Sequence, residues 1–148
     1  MNFHLPYKLL LLTGAASLLT GYFFTYGQFL YAPYSGASAL IVVLGGVALG
    51  MWAKRTILKH ETTFNPYGHP THLVTTGPFR FSRNPMYVSY VLVALGFALY
   101  TGVIAALIFP VLYFLYLHLR IIPLEERKLR ERFTSEYVAY TQSTRRWV

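Results

Sequence analysis

Two long stretches of the chain, Leu9 to Ala53 and Asn84 to Leu119, contain no Asp, Glu, Lys or Arg. A helix needs ~20 apolar residues to cross the ~30 Å hydrocarbon core of a bilayer. Each stretch therefore has room for two crossings and a turn. In the first, spans over residues 9–24 and 37–53 flank a turn from Tyr26-Gly27-Gln28 to Pro33-Tyr34-Ser35-Gly36. In the second, spans over residues 86–100 and 103–119 flank Tyr100-Thr101-Gly102, where glycine supplies turn geometry cheaply. Pro110 is expected to kink the fourth helix, which packed membrane helices tolerate. The expected fold is all-α: one polytopic membrane domain over residues 1–148, with about four transmembrane helices as two hairpins plus a C-terminal amphipathic helix.

The placement of charge gives this topology a direction. The chain has 13 Lys+Arg against five acidic residues, all of them Glu, for a formal charge of +8. With four crossings every basic residue falls on one side, and the two connecting tips carry none. The positive-inside rule makes that side cytoplasmic, together with both termini and any site built there. Topology thus accounts for the basic excess, so no nucleic-acid partner is expected and membrane lipids are. Only 12% of residues are charged and 55% are hydrophobic, whereas soluble domains carry about 25% charged residues. The absence of Cys excludes disulfides and thiolate nucleophiles, and the absence of Asp excludes a Ser-His-Asp set. No glycine-rich phosphate motif follows a strand pattern, which argues against a soluble-type nucleotide fold.

Two cytoplasmic segments are left to carry chemistry. Residues 60–85 lack a helical period but hold Phe64, Tyr67, Phe79 and Phe81; a structureless segment of ~24 residues is usually functional or disordered, and its aromatics favour function. Asn84-Pro85 reads as a helix start, with Asn84 capping and Pro85 in the first position, and the free N–H groups there suit a carboxylate. Residues 124–140 have a helical period, with Leu129, Phe133, Tyr137 and Tyr140 on one face. Pro123 suits the start of that helix, which is read as lying on the membrane surface or folded back under the bundle. Glu125 and Glu126 both reach the inner side, Glu126 nearer its centre. They suit a cationic or hydroxyl-bearing ligand group, although an ion pair from Glu126 to Arg130 is equally available. Arg80 and Arg83 read as topology determinants contacting lipid headgroups. His60, His69 and His72 are irregularly spaced, so no metal is expected.

The ordered set Leu73-Val74-Thr75-Thr76-Gly77-Pro78-Phe79-Arg80, Arg83-Asn84-Pro85-Met86-Tyr87, Arg120 with Glu125-Glu126, and Phe133-Thr134-Ser135-Glu136-Tyr137 with Tyr140 resembles the isoprenylcysteine carboxyl methyltransferases and the related phospholipid methyltransferases. The resemblance runs from about Phe64 to Arg146. It implies an integral membrane methyltransferase using S-adenosylmethionine in a cytoplasm-facing pocket closed by the C-terminal segment. By motif, Thr71, His72, Leu73, Val74, Phe79, Asn84, Pro85, Met86 and Tyr87 would line the cofactor site, with Glu125 and Glu126 holding it from the tail. Arg120 would be the substrate-contacting, catalytic arginine. Asn84 stands where the family commonly has His, and Phe79 where Tyr is frequent; Asn caps and donates but is no base near neutral pH. The implied reaction is methyl transfer to a lipidic or membrane-associated carboxylate, amine or thiol. A nicotinamide-dependent membrane reductase and a non-enzymatic small membrane protein are the rival readings.

Overall fold

The structure is a computed structural model, and it describes residues 5–24, 27–31, 34–60 and 72–148. Helices α1 (Leu5–Phe23), α2 (Tyr34–Lys59), α3 (Pro85–Thr101), α4 (Ile108–Tyr116) and α5 (Ile122–Ser143) carry the fold, with 3₁₀ turns at Gly77–Arg80 and Ile104–Leu107 and a π turn at Leu117–Ile121. The architecture is all-helical, as the apolar runs require. Two of the described runs, Tyr34–Lys59 and the helical stretch Ile104–Ser143, are long and apolar enough to cross a membrane.

Helix α3 is the axis of the bundle, packing against α1, α2 and α4. Small residues set how near its neighbours come. Gly46 and Gly50 of α2 both abut Ser89, and Gly96 of α3 lies against Val43 and the Ala39 carbonyl. A side chain at Gly96 would push the two backbones apart. Such close contact substitutes for the hydrophobic drive that is missing between helices in lipid. Gly45 of α2, by contrast, meets nothing within 4 Å.

The outer surface is apolar around much of the bundle. Leu11, Leu12, Leu19 and Phe23 of α1, Ile41, Leu44 and Met51 of α2, and Val111 and Leu112 of α4 are all exposed. Only 17% of the apolar stretch of α2 is buried, whereas the core helix of a soluble protein would be mostly buried. A contiguous apolar surface of this extent marks membrane contact, and the protein associates with membranes.

The two connecting tips meet at one end of the bundle. Gly102 caps α3 in the left-handed region (φ 66), and its carbonyl accepts from the Phe29 and Leu30 N–H groups at 2.8 and 3.4 Å. An isolated antiparallel bridge between Gln28 and Val103 extends the brace. Tyr26 and Pro33 of the first tip lie outside the described residues.

Two prolines behave differently from expectation. Pro110 does not kink a long helix; it sits in the first turn of α4, just after the 3₁₀ turn, where an N–H is not needed for an intrahelical bond. Pro123 does not begin a separate helix. The chain runs from α4 into α5 as one helical stretch, widened by the π turn immediately before the proline. A wider turn accommodates the ring and the missing donor without ending the helix. The true break in α5 comes later, at Thr134 (φ 35, ψ −100).

Candidate active site

The end of the bundle opposite the tips gathers the polar side chains. Gly77 opens the Gly77–Arg80 turn with φ +59, and a Cβ there would meet the Thr56 hydroxyl of α2 at 2.8 Å. Both facts require glycine, so the Gly-Pro pair sets the loop against the end of α2. His60 joins the same contact: its Nδ1 pairs with the Thr56 carbonyl at 2.9 Å and its Nε2 with the Thr76 hydroxyl at 3.3 Å. Buried Val74 and Pro78 anchor the loop from inside.

Asn84 stands at the N-cap position of α3, but its side chain makes no cap hydrogen bond. Its amide instead donates to the Arg146 carbonyl at 2.9 Å, while its backbone N–H donates to the Ser82 hydroxyl at 3.1 Å. The expected cap is thus replaced by a tether to the C-terminal tail.

Glu126 is the centre of a three-residue ion cluster. Arg83 Nη2 donates to its Oε1 at 2.9 Å, and Arg146 reaches it twice, Nη2 to Oε2 at 2.6 Å and Nε to Oε1 at 3.1 Å. Burial alone would raise the Glu126 pKa, but the hydrogen bonds and charges of the two arginines outweigh it and hold the carboxyl below its usual range. The ion pair to Arg130 that the helix spacing offered is not formed. Arg83 also donates through Nη1 to the carbonyls of Thr141 (3.2 Å) and Thr144 (2.7 Å).

Glu125, one residue earlier, has a different environment. It accepts a hydrogen bond from the Tyr87 hydroxyl at 2.5 Å. Burial pushes its carboxyl up to about 7, against the opposing influences of Tyr87 and Lys128. Tyr90 stands beside Tyr87, ring edge to face at 6.0 Å, and within electrostatic reach of Glu125. Two adjacent glutamates are thereby separated into a structural carboxylate held ionised by arginines and one whose carboxyl is raised to about 7.

The other residues singled out from sequence are dispersed around this cluster. Pro85 and Tyr87 are buried at the start of α3, and Met86 contributes its carbonyl to Ser89. Leu73 is half-buried, His72 exposed, and the Phe79 carbonyl accepts from the Tyr140 hydroxyl at 2.7 Å. Thr71 lies outside the described residues, as do Phe64, Tyr67 and His69. Arg120 is exposed in the π turn and makes no hydrogen bond or ion pair among the described residues. Arg83 does not contact lipid headgroups as its sequence position suggests: its side chain turns inward onto Glu126 and the Thr141 and Thr144 carbonyls, and Arg146, to which the sequence assigns no role, joins it there. Arg83 carried a signal in its place next to Asn84-Pro85, whereas nothing in the pattern marks Arg146.

Two buried polar atoms of this end make no hydrogen bond: Arg83 Nε and the Tyr137 hydroxyl. Burial pushes the Tyr137 phenol up to about 12, with the Glu126 charge adding to the shift, so it remains a neutral donor. A zwitterionic cofactor with an aromatic base needs a carboxylate for its cationic part, N–H or O–H donors for its own carboxylate, and aromatic walls. Glu125, the two unpartnered donors, and Tyr87 with Tyr90 supply these chemical types, so the residues fit such a group.

A bundle of helices with an apolar outer surface and one polar, ion-paired end defines a membrane-associated helical protein. Residues 34–136 match the phospholipid methyltransferase family. The chain belongs to that family, and it is a methyltransferase. Neither a curated protein nor a solved structure matches it. The family match lends no support to the reductase or to the non-enzymatic reading.

Proposed function

We propose that the protein methylates the amine of a phospholipid headgroup, with S-adenosylmethionine as donor, at the cytoplasmic end of a four-span bundle. The observation that carries the reading is the pair Tyr87–Glu125 standing beside the Arg83–Glu126–Arg146 cluster. Glu125 meets the start of α3 through Tyr87, and Arg83 Nε, in the loop just before α3, is a donor without a partner. The cofactor supplies an electrophilic methyl group. The chain's task is to align the nucleophile and exclude water.

Roles follow from chemistry and position. Ionised Glu125 pairs with a cationic group of the cofactor, Tyr87 fixes the orientation of that carboxylate, and the motif residues His72, Leu73, Val74, Phe79, Asn84, Pro85 and Met86 contact the rest of it. Glu126 supports from behind, since both its oxygens are committed to arginines. Arg120, exposed at the membrane edge, attracts the headgroup phosphate while the acyl chains stay in lipid. Among common headgroup atoms, phosphate oxygens and hydroxyls are poor nucleophiles and a deprotonated amine is a good one, which favours nitrogen as the acceptor. The new N–C bond forms as the donor's C–S bond breaks, and the nitrogen's surplus proton leaves to solvent.

The test is purified protein in lipid nanodiscs with methyl-labelled S-adenosylmethionine and either aminophospholipids or prenylated carboxyl acceptors. Label in the amine headgroup, lost in Glu125→Gln, is the expected result. Label only in the carboxyl acceptor would overturn the choice of acceptor, and binding of NADPH without S-adenosylmethionine would overturn the reading. Arg120→Ala should raise KM for the lipid about tenfold, the effect of one charge-assisted contact.

A further inference from the structure

His118 is a half-buried polar side chain in an apolar setting. It lies on the π turn Leu117–Ile121, a geometry that recurs at functional sites, and its neighbours Leu115 and Leu119 are exposed apolar residues on the outside of the bundle. Its ring stacks parallel to that of Phe114 at 5.9 Å. The Trp147 ring tilts over the same Phe114 at 4.7 Å, and its Nε1 donates to His118 Nδ1 at 3.1 Å. An indole N–H only donates, so Nδ1 is an acceptor and the single proton of the neutral imidazole sits on Nε2. A ring protonated on both nitrogens would set two N–H groups against each other. The same bond removes His118 from base chemistry, because the Nδ1 lone pair is engaged and Nε2 carries the proton. What remains is one N–H donor, fixed in direction by two aromatic rings, with no protein acceptor among the described residues. A donor held beside lipid without an acceptor is costly, and polar groups kept there mark ligand contacts.

Depth selects the ligand. His118 precedes Glu126 by two helical turns on the apolar side, on the order of 10 Å along the helix axis. Charged headgroup atoms belong at the polar end, beside the arginines. Below them, the first acceptors a glycerophospholipid offers are its ester carbonyls, where the acyl chains begin. We propose that His118 Nε2–H binds an ester carbonyl of a membrane glycerophospholipid, with Trp147 and Phe114 as its positioning residues. Substrate lipid and surrounding lipid present the same carbonyl. Where the lipid is the substrate, the contact fixes how deep its headgroup sits at the site; that part rests on the function proposed above, and the donor site itself does not.

Dialkyl ether lipids keep the headgroup and chains but lack the carbonyls. In protein with isotope-labelled histidine, the His118 signals are identified by their loss in His118→Asn. Nuclear magnetic resonance should show Nδ1 bare and Nε2 protonated, and the Nε2–H signal should shift between nanodiscs of diacyl and of dialkyl lipid. This readout needs no turnover. A proton on Nδ1, or the same Nε2–H signal in both lipids, would overturn the proposal. Methyl transfer then separates the sources, in a dialkyl matrix carrying either a diacyl or a dialkyl aminophospholipid. A contact to substrate raises KM for the dialkyl form about fivefold, the worth of one neutral hydrogen bond, with kcat unchanged. Equal KM values with a matrix-dependent signal assign the carbonyl to surrounding lipid. His118→Asn keeps an acceptor for Trp147 but lacks the outer donor, so it should abolish the ester dependence of KM. His118→Gln, whose amide reaches the Nε2 position, should restore part of it, and Trp147→Phe, which frees the tautomer, should weaken it. Circular dichroism identifies a variant that has merely failed to fold. Ester dependence that persists in folded His118→Asn counts against the site. An ester-dependent signal in a wild type that methylates no aminophospholipid would sink the function proposed above and leave the His118 site standing.

Discussion

Glu125 and Glu126 are neighbours in sequence, yet 100° of helical rotation places them in different chemistry. Glu126 faces two guanidinium groups and Glu125 a phenol. Because burial holds the Glu125 carboxyl near 7, cofactor affinity should rise as pH passes through that value and ionises it. The Tyr87 hydrogen bond lowers that pKa, so Tyr87→Phe should move the rising limb of a pH–kcat/KM profile to higher pH. Glu126 has the opposite sign. Its lowered pKa contributes stability that is present above 4.5, the ordinary value, and is lost as pH falls through the depressed one. Replacing it leaves the largely buried Arg83 and the half-buried Arg146 without their counter-charge, so Glu126→Gln should cost about 3 kcal/mol, the low end for breaking a buried pair, read as lost thermal stability in detergent. Glu125→Gln should cost far less stability and abolish binding. The two roles were not separable from sequence, because the partners that divide them come from Tyr87, Arg83 and Arg146, up to 43 positions away.

At the scale of elements, helical character is legible in the apolar runs, of which Tyr34–Lys59 and Ile104–Ser143 are long and apolar enough to cross a membrane, and the junctions are less legible. Pro123 looked like the start of a helix, because a proline's missing donor is harmless there. It is equally harmless behind a π turn, and only the packing of α4 against α1 and α3 decides which occurs. Asn84 looked like a cap for the same kind of reason, and its amide went to a carbonyl 62 positions away. The turn at Gly102 was legible, since a hairpin tip between apolar spans requires a residue free to take positive φ. What was not legible is that its carbonyl braces the other tip. Gly102→Ala should therefore be worse than backbone strain alone, because its Cβ would press on the Leu30 carbonyl. A loss of about 2 kcal/mol or more in unfolding stability is expected, with a matching loss of amide protection at Phe29.

At the scale of the molecule, the arrangement predicts which surfaces share a side of the membrane. Single cysteines at Lys59 and Ser143 should react with an impermeant maleimide from one side of a sealed vesicle, and those at Phe29 and Ile104 only from the other. Labelling of Ser143→Cys together with Ile104→Cys from the same side would remove the four-span arrangement. The sequence by itself determined the helical class, the apolar surface and the segregation of charge to one end. These follow from hydropathy and charge placement, which are additive along the chain and need no knowledge of contacts. Tertiary structure alone decided which carboxylate is available and which is spent on arginines, because pairing depends on residues brought together across the bundle. It also decided the place of Arg146: nothing local distinguishes a basic tail residue that meets lipid from one that turns back 20 positions along a strained helix to neutralise a buried glutamate.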